Sequence, residues 1–197
     1  MFQKIAERIY IHLSKKNILG EEDKDVYIYA LEVIVLNTSL LITLFLISLC
    51  MKQLPCFICF LCFFVPLRIF CGGYHAKRSE ICFPMSMISY VIVLFMVKQN
   101  LYLYQNIFLQ SLALVTILLL FLFAPLENKN HPLDEYQLQR NQKIVRILLV
   151  LYFLLLSYFC VYQVSIATYG IVFLILNGIL FFIGKWEKML NFKKVED

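Results

Sequence analysis

Six apolar runs dominate the chain: Val33–Met51, Leu54–Leu67, Pro84–Val97, Ile107–Leu126, Ile144–Tyr162 and Ile166–Ile183. Apart from Arg146 near the start of the fifth, none carries a charged residue. Away from water, a backbone must satisfy its own N–H and C=O groups, and a helix does so within a single segment. With 61% hydrophobic residues and a mean hydropathy of +0.78, the chain lies well above an ordinary globular domain, which is about half apolar. The pattern predicts an all-α polytopic integral membrane protein of one domain, with about six transmembrane helices. Residues 1–32 form an amphipathic segment, 33–183 the bundle and 184–197 a basic tail. A spanning helix needs about 20 residues; the second and third runs have 14 each. They must recruit flanking residues, thin the bilayer or be partly re-entrant, so four spans plus a re-entrant pair is the alternative.

The charges orient this layout. Lys and Arg gather on the cytoplasmic side of membrane proteins. Residues 1–32 carry five, 68–82 three, 127–146 four and 184–197 four, against Lys52 and Lys98 in the opposite turns. Both termini and the segment around residue 75 are therefore expected in the cytoplasm. Residues 2–19 read as an amphipathic helix, with Phe2, Ile5, Ile9 and Leu13 at helical spacing opposite Lys4, Arg8, Lys15 and Lys16. It suits the surface of an anionic bilayer, or a soluble flap. Gly20 is expected to end it, and Glu21–Asp25 reads as a solvated linker. No cleavable signal peptide is visible. The net charge of +5 follows this topology and does not point to nucleic acid.

Between the second and third runs lies a polar island, Leu67 to Pro84, holding His75 and Cys82. An imidazole that takes a thiol proton makes a thiolate able to attack a carbonyl. Arg68, Lys77 and Arg78 would favour the thiolate further. On one unbroken helix the two residues would lie about 10 Å apart along the axis, too far for proton transfer, so the chain must turn between them. Gly72 and Gly73 permit such a turn. Pro84 disfavours helix at Phe83, so a helix is expected to begin near Pro84 with Cys82 just before it. Spacing alone does not separate a catalytic pair from an incidental one.

The remaining polar features are weaker. Seven cysteines, mostly within apolar runs, read as free thiols. Cys56, Cys59 and Cys62 form a loose helical stripe without acids or histidines nearby, unlike a structural zinc site. No metal and no soluble cofactor is implied. Glu80 could orient the imidazole as the third member of a triad does, or be a solvated charge; Ser79 could assist by hydrogen bonding. His12 and His131 read as surface residues. Lys77, Arg78, Lys129, Arg140 and Lys143 form either a topogenic cytoplasmic surface or a docking surface for an acidic peptide.

Arg68, Gly72-Gly73, Tyr74-His75-Ala76 and Cys82 resemble the signature of the AgrB family (accessory gene regulator protein B), membrane cysteine endopeptidases of Gram-positive quorum sensing. Ala124 to Leu133 resembles a second block of that family. The resemblance implies that His75 and Cys82 are the catalytic pair, acting without a third residue, and that Arg68 and the glycines shape the loop. It also implies an AgrD-like precursor peptide as partner, with an amphipathic leader and an acidic tail to be removed, and a homodimer. The rival readings are a membrane thiol–disulfide oxidoreductase using Cys56 to Cys62 and a small transporter subunit. Carriers generally place ionisable groups within their spans, whereas these spans hold little beyond Asn37, Thr38, Gln110, Asn177 and Arg146.

The charge-based topology predicts that cysteine reporters at positions 129 or 193 resist membrane-impermeant thiol reagents in intact cells, in a background without reactive native thiols. Reporters at 99–105 or 164–166 should label. External labelling at 129 would reverse the orientation.

Overall fold

A computed structural model describes residues 2–15, 24–72, 79–99, 102–126 and 134–196; the side chains of residues 79–82, 85, 188 and 190–196 are not described. Among the described residues the regular secondary structure is helical apart from one isolated β-bridge. The helices are α1 (Phe2–Ser14), α2 (Lys24–Cys50), α3 (Leu54–Cys59), α4 (Val65–Cys71), α5 (Ser79–Gln99), α6 (Ile107–Phe123), α7 (Glu135–Val161) and α8 (Ile166–Glu196). A π-helical turn, Phe60–Phe64, joins α3 to α4 in one continuous run.

Among the described residues, four segments are long and apolar enough to cross a membrane: Lys24–Cys50, Leu54–Cys71, Glu135–Val161 and Ile166–Glu187. Two shorter apolar helices are Ser86–Gln99 and Ile107–Phe123. The second run thus recruits residues as far as Cys71 and reaches spanning length. The fourth is shorter than expected, because Pro125 disfavours helix at Ala124 and Ala124 is extended. Asp25 lies in the first turn of α2, where a negative charge meets the helix dipole favourably, so Lys24 and Asp25 are helical rather than part of a linker. Gly20 lies outside the described residues.

The chain divides into two compact units: Met1–Lys52 with Ala76–Tyr90, and Gln53–His75 with Val91–Asp197. In the first, α1 packs on α2. The residues α1 buries are Ala6 and Tyr10, while Ile5 and Ile11 stay exposed. The contact therefore runs along one edge of the expected apolar stripe, where a small side chain permits close approach. Ser48 and Tyr90 share a buried hydrogen bond of 2.6 Å, and Ser48 Oγ also donates to the Leu44 carbonyl at 2.8 Å.

The second unit is organised around the run Leu54–Cys71. Pro66 has no N–H to give the carbonyl one turn back, that of Cys62. The adjacent π turn, closed by Val65 N–H on the Phe60 carbonyl, disturbs the same stretch of ladder. Buried carbonyls left without donors are costly in apolar surroundings. Here the Cys62 carbonyl is satisfied from a neighbouring helix, and a second side chain reaches the carbonyl of Phe64 nearby. Tyr152 Oη donates to the Cys62 carbonyl at 2.5 Å, and Asn177 Nδ2 reaches the Phe64 carbonyl at 3.4 Å. Tyr169, Phe173 and Asn177 of α8 meet Gln53, Phe60 and Phe64 in the same order, so α8 runs parallel to α3–α4. The short turn after Val161 makes α7 antiparallel to both. Gly178 lies so close to α6 that a Cβ there would come within 2.4 Å of Thr116 Cγ2, the small-residue contact usual between membrane helices. At the α6 entrance, buried Tyr104 accepts Gln110 Nε2 on its carbonyl at 2.6 Å and donates its hydroxyl to the Gln163 carbonyl at 3.2 Å.

Tyr152→Phe leaves the Cys62 carbonyl without this donor. The protein should lose about 1–3 kcal/mol of stability, measured as an earlier thermal transition of the detergent-solubilised protein.

Candidate active site

The polar island begins where α4 ends. Its apolar face carries Leu67 and Cys71 into the core of the second unit, both nearly inaccessible. Arg68, on another face, turns along the helix and donates from Nη1 to the Gly72 carbonyl at 3.1 Å. This satisfies an acceptor that the helix end leaves open, in a position where a cation is also favoured.

Gly72 has φ +69°, in the region that glycine occupies without penalty. It pairs in a parallel β-bridge with Leu126, whose N–H donates to the Cys71 carbonyl at 2.9 Å. A Cβ on Gly72 would come within 2.5 Å of the Leu126 carbonyl oxygen, a backbone atom. Two requirements therefore converge on glycine: the backbone angle and the closeness of the facing backbone at Leu126. Leu126 is brought there by the extended Ala124 and by Pro125, joined through a cis peptide bond. The two stretches singled out in the sequence, one ending α4 and one following α6, are thus in direct backbone contact.

The other sequence-derived site residues stand as follows. Gly73, Tyr74, His75, Lys77 and Arg78 lie outside the described residues, as do Lys129 and His131. The expected turn between His75 and Cys82 rests on some of them. Ser79, Glu80 and Cys82 are described by backbone alone, in the opening turn of α5. This corrects the expectation that a helix begins near Pro84 with Cys82 ahead of it: α5 starts at Ser79, and Pro84 lies inside it. The proline removes one backbone bond close to the helix end, a loss that membrane helices accommodate. Arg140 and Lys143 are exposed on α7. Cys56 and Cys59 are buried while Cys62 is exposed, so the three thiols are divided between core and periphery. Among the described residues no group of His, Cys, Asp and Glu is placed to hold a metal ion.

Sequence reasoning missed Leu126, read as the end of an apolar run, and Asn141, a polar residue whose side chain is buried on α7 between the exposed Arg140 and a half-buried Gln142. The signal for the first was Pro125, which stops the helix. Nothing in the sequence marked the second.

Helices of spanning length, with carbonyls satisfied from within the bundle and a clamped polar turn at the end of one span, define an all-helical polytopic membrane protein. Comparison with known proteins places it further: the profile of the family Accessory gene regulator B matches residues 3–184, and the chain belongs to that family. It is 33% identical over 127 residues to the accessory gene regulator protein B of Staphylococcus saprophyticus. That match covers 64% of this chain and 61% of the relative, less than two thirds of its length. A putative AgrB-like protein of Clostridium beijerinckii is 28% identical over 74% of this chain and 68% of its own. One from Clostridium acetobutylicum is 29% identical over 76% and 70%. No solved structure matches the chain.

Gly72→Ala should destabilise the protein by at least the ~1–2 kcal/mol that a left-handed backbone costs a residue with a Cβ, since the contact with Leu126 adds to it. The check is thermal unfolding of Gly72→Ala beside a conservative control elsewhere on α4.

Proposed function

We propose that this protein is a membrane cysteine endopeptidase of quorum sensing that removes the acidic tail of an AgrD-like precursor at the cytoplasmic face. The observation that carries the reading is the family match across residues 3–184, together with His75 and Cys82 in the stretch that resembles the family's signature. The clamp formed by Arg68, Gly72 and Leu126 supports it, because it binds both family-like stretches into one rigid rim. Cys82 is the nucleophile. His75 takes its proton and then delivers it to the leaving amine. Arg68 and Gly72 position the chain that leads into Gly73 and His75, while Ser79 and Glu80 stand near the nucleophile in sequence. Lys77, Arg78, Lys129, Arg140 and Lys143 attract the acidic tail. The cytoplasmic location of the termini and of this loop belongs to the same proposal, as does a homodimer.

Attack of the Cys82 thiolate on the peptide carbonyl forms a thioester and releases the tail as an amine. A site at the membrane surface is poor in free water. A thiol on the bound peptide itself gains a large effective concentration. Exchange of one thioester for another is close to balanced, so the acyl group passes to an internal cysteine of the peptide and closes a thiolactone, regenerating the Cys82 thiol. An internal serine would give a lactone by the same route.

Cys82→Ala and His75→Ala should each abolish cleavage while leaving membrane insertion intact; Cys56→Ala, Cys59→Ala and Cys62→Ala should be nearly silent. Mass spectrometry should find an adduct on Cys82 and a product one water lighter than the linear fragment. A dead Cys56/Cys59/Cys62 triple variant beside an active Cys82→Ala would replace this reading with a thiol–disulfide oxidoreductase.

A further inference from the structure

Arg146 is the one charge inside the apolar runs, and it is exposed on α7. About 22 Å of helix separates it from the end of α7 at Val161, short of the ~30 Å of hydrocarbon in a bilayer. Neighbouring α6, with 17 residues, is about 25 Å long and also falls short. Arg146 Cζ lies 5.3 Å from the centre of the Phe121 ring of α6, which holds the guanidinium at the seam between the two helices. No carboxylate on either helix stands beside it: α6 has no charged residue, and α7 has no acid after Glu135. Arg146 also forms no ion pair among the described residues. Lys143, three residues earlier on α7, adds positive charge at the same end. A cation at hydrocarbon depth is costly unless an anion joins it.

The same seam continues as a groove. A cavity of about 390 Å³ lies between α6 and α7, a size within the range of small-ligand sites. Its floor is Ala113, Leu156 and, from α8, Ile171; Leu114, Ile117 and Phe153 form its walls. Along α7 it begins about 10 Å beyond Arg146, at Phe153, and ends about 21 Å beyond, at Cys160. Residues spaced by seven keep to one side of a helix, so Arg146, Phe153 and Cys160 share one edge of α7. The lining is uncharged, with Gln110 and Ser157 as a polar rim at the far end. The groove opens between two helices with apolar outer faces, so its occupant arrives from the bilayer. Half the hydrocarbon thickness, about 15 Å, is the depth over which a lipid chain runs. A cation at the head and an apolar channel on that scale behind it match an amphiphile with an anionic headgroup.

We propose that the α6–α7 seam binds one anionic phospholipid, its phosphate paired with Arg146 and one acyl chain lying in the groove. Guanidinium and phosphate match as bidentate partners. Helices shorter than the bilayer draw headgroups down towards Arg146 by local thinning. An acidic peptide or free phosphate would satisfy the guanidinium and leave the groove empty; a neutral lipid would fill the groove and leave the cation alone. An anionic lipid does both. This site depends on the membrane fold and is independent of the endopeptidase reading.

The test uses the full-length protein in detergent, titrated with phosphatidylglycerol or with phosphatidylcholine carrying the same chains, and read by native mass spectrometry. The wild type should bind phosphatidylglycerol at least about fivefold more tightly. Arg146→Gln should lose that preference and bind the two lipids alike. Leu114→Trp, which fills the groove from its exposed wall, should weaken both lipids and keep the preference. Lys185→Gln removes the cation over Phe123 on the other side of α6 and should behave as the wild type. A measurement on the wild type alone needs no variant to fold: dihexanoyl phosphatidylglycerol should bind about tenfold more weakly or worse, because its chains bury fewer methylenes. The proposal is overturned if Arg146→Gln keeps the preference, if Lys185→Gln loses it equally, or if chain length makes no difference. Displacement of the lipid by inorganic phosphate would mark a plain anion site and overturn it too. So would an acidic synthetic peptide that binds through Arg146 in preference to the lipid.

Discussion

The hydrogen bond from Tyr152 to the Cys62 carbonyl is the contact on which much of the second unit depends. A span that contains both a π turn and Pro66 cannot close its own backbone ladder. In water the gap would be filled by solvent. In a bilayer it has to be filled by protein; Tyr152 fills it from α7, and Asn177 of α8 adds a bond to the nearby Phe64 carbonyl. These bonds do more than satisfy carbonyls. They fix α7 and α8 along the length of α3–α4, and that register sets which residues meet at the far end of the bundle.

At that end the helix does not simply fray into a loop. Arg68 closes on the Gly72 carbonyl, and Leu126 pairs with the backbone on the other side. The segment leading to His75 therefore leaves from a point held by two sets of bonds. The catalytic role proposed for His75 calls for such a rigid point of departure, because a catalytic side chain must be placed to within a fraction of an ångström. The requirement for glycine at position 72 has the same origin: the facing backbone of Leu126 approaches too closely for any side chain.

Where reading from the sequence and the structure part, the reason is local preference giving way to the surroundings. Pro84 disfavours helix at the residue before it, yet α5 runs through. Near a helix end the loss is one bond, whereas unwinding inside an apolar segment would expose several groups. Leu126 looks like the last residue of an apolar run but leaves the helix at Ala124 and pairs with Gly72. Ala6 and Tyr10, rather than the centre of the stripe from Phe2 to Leu13, form the contact of α1.

The sequence by itself determined the class of fold, since long continuous apolar runs, without the alternation of barrel strands, satisfy their backbone in a membrane as helices. It also marked His75, Cys82, Arg68 and Gly72 as candidates, because nucleophile, base, cation and turn residues stand out against an apolar background. Only the tertiary structure decided which helices supply the carbonyls' donors, that Leu126 is the partner of Gly72, and that Asn141 is buried. These facts join residues dozens of positions apart, and such pairings follow from how helices pack and register, which no short stretch of sequence encodes.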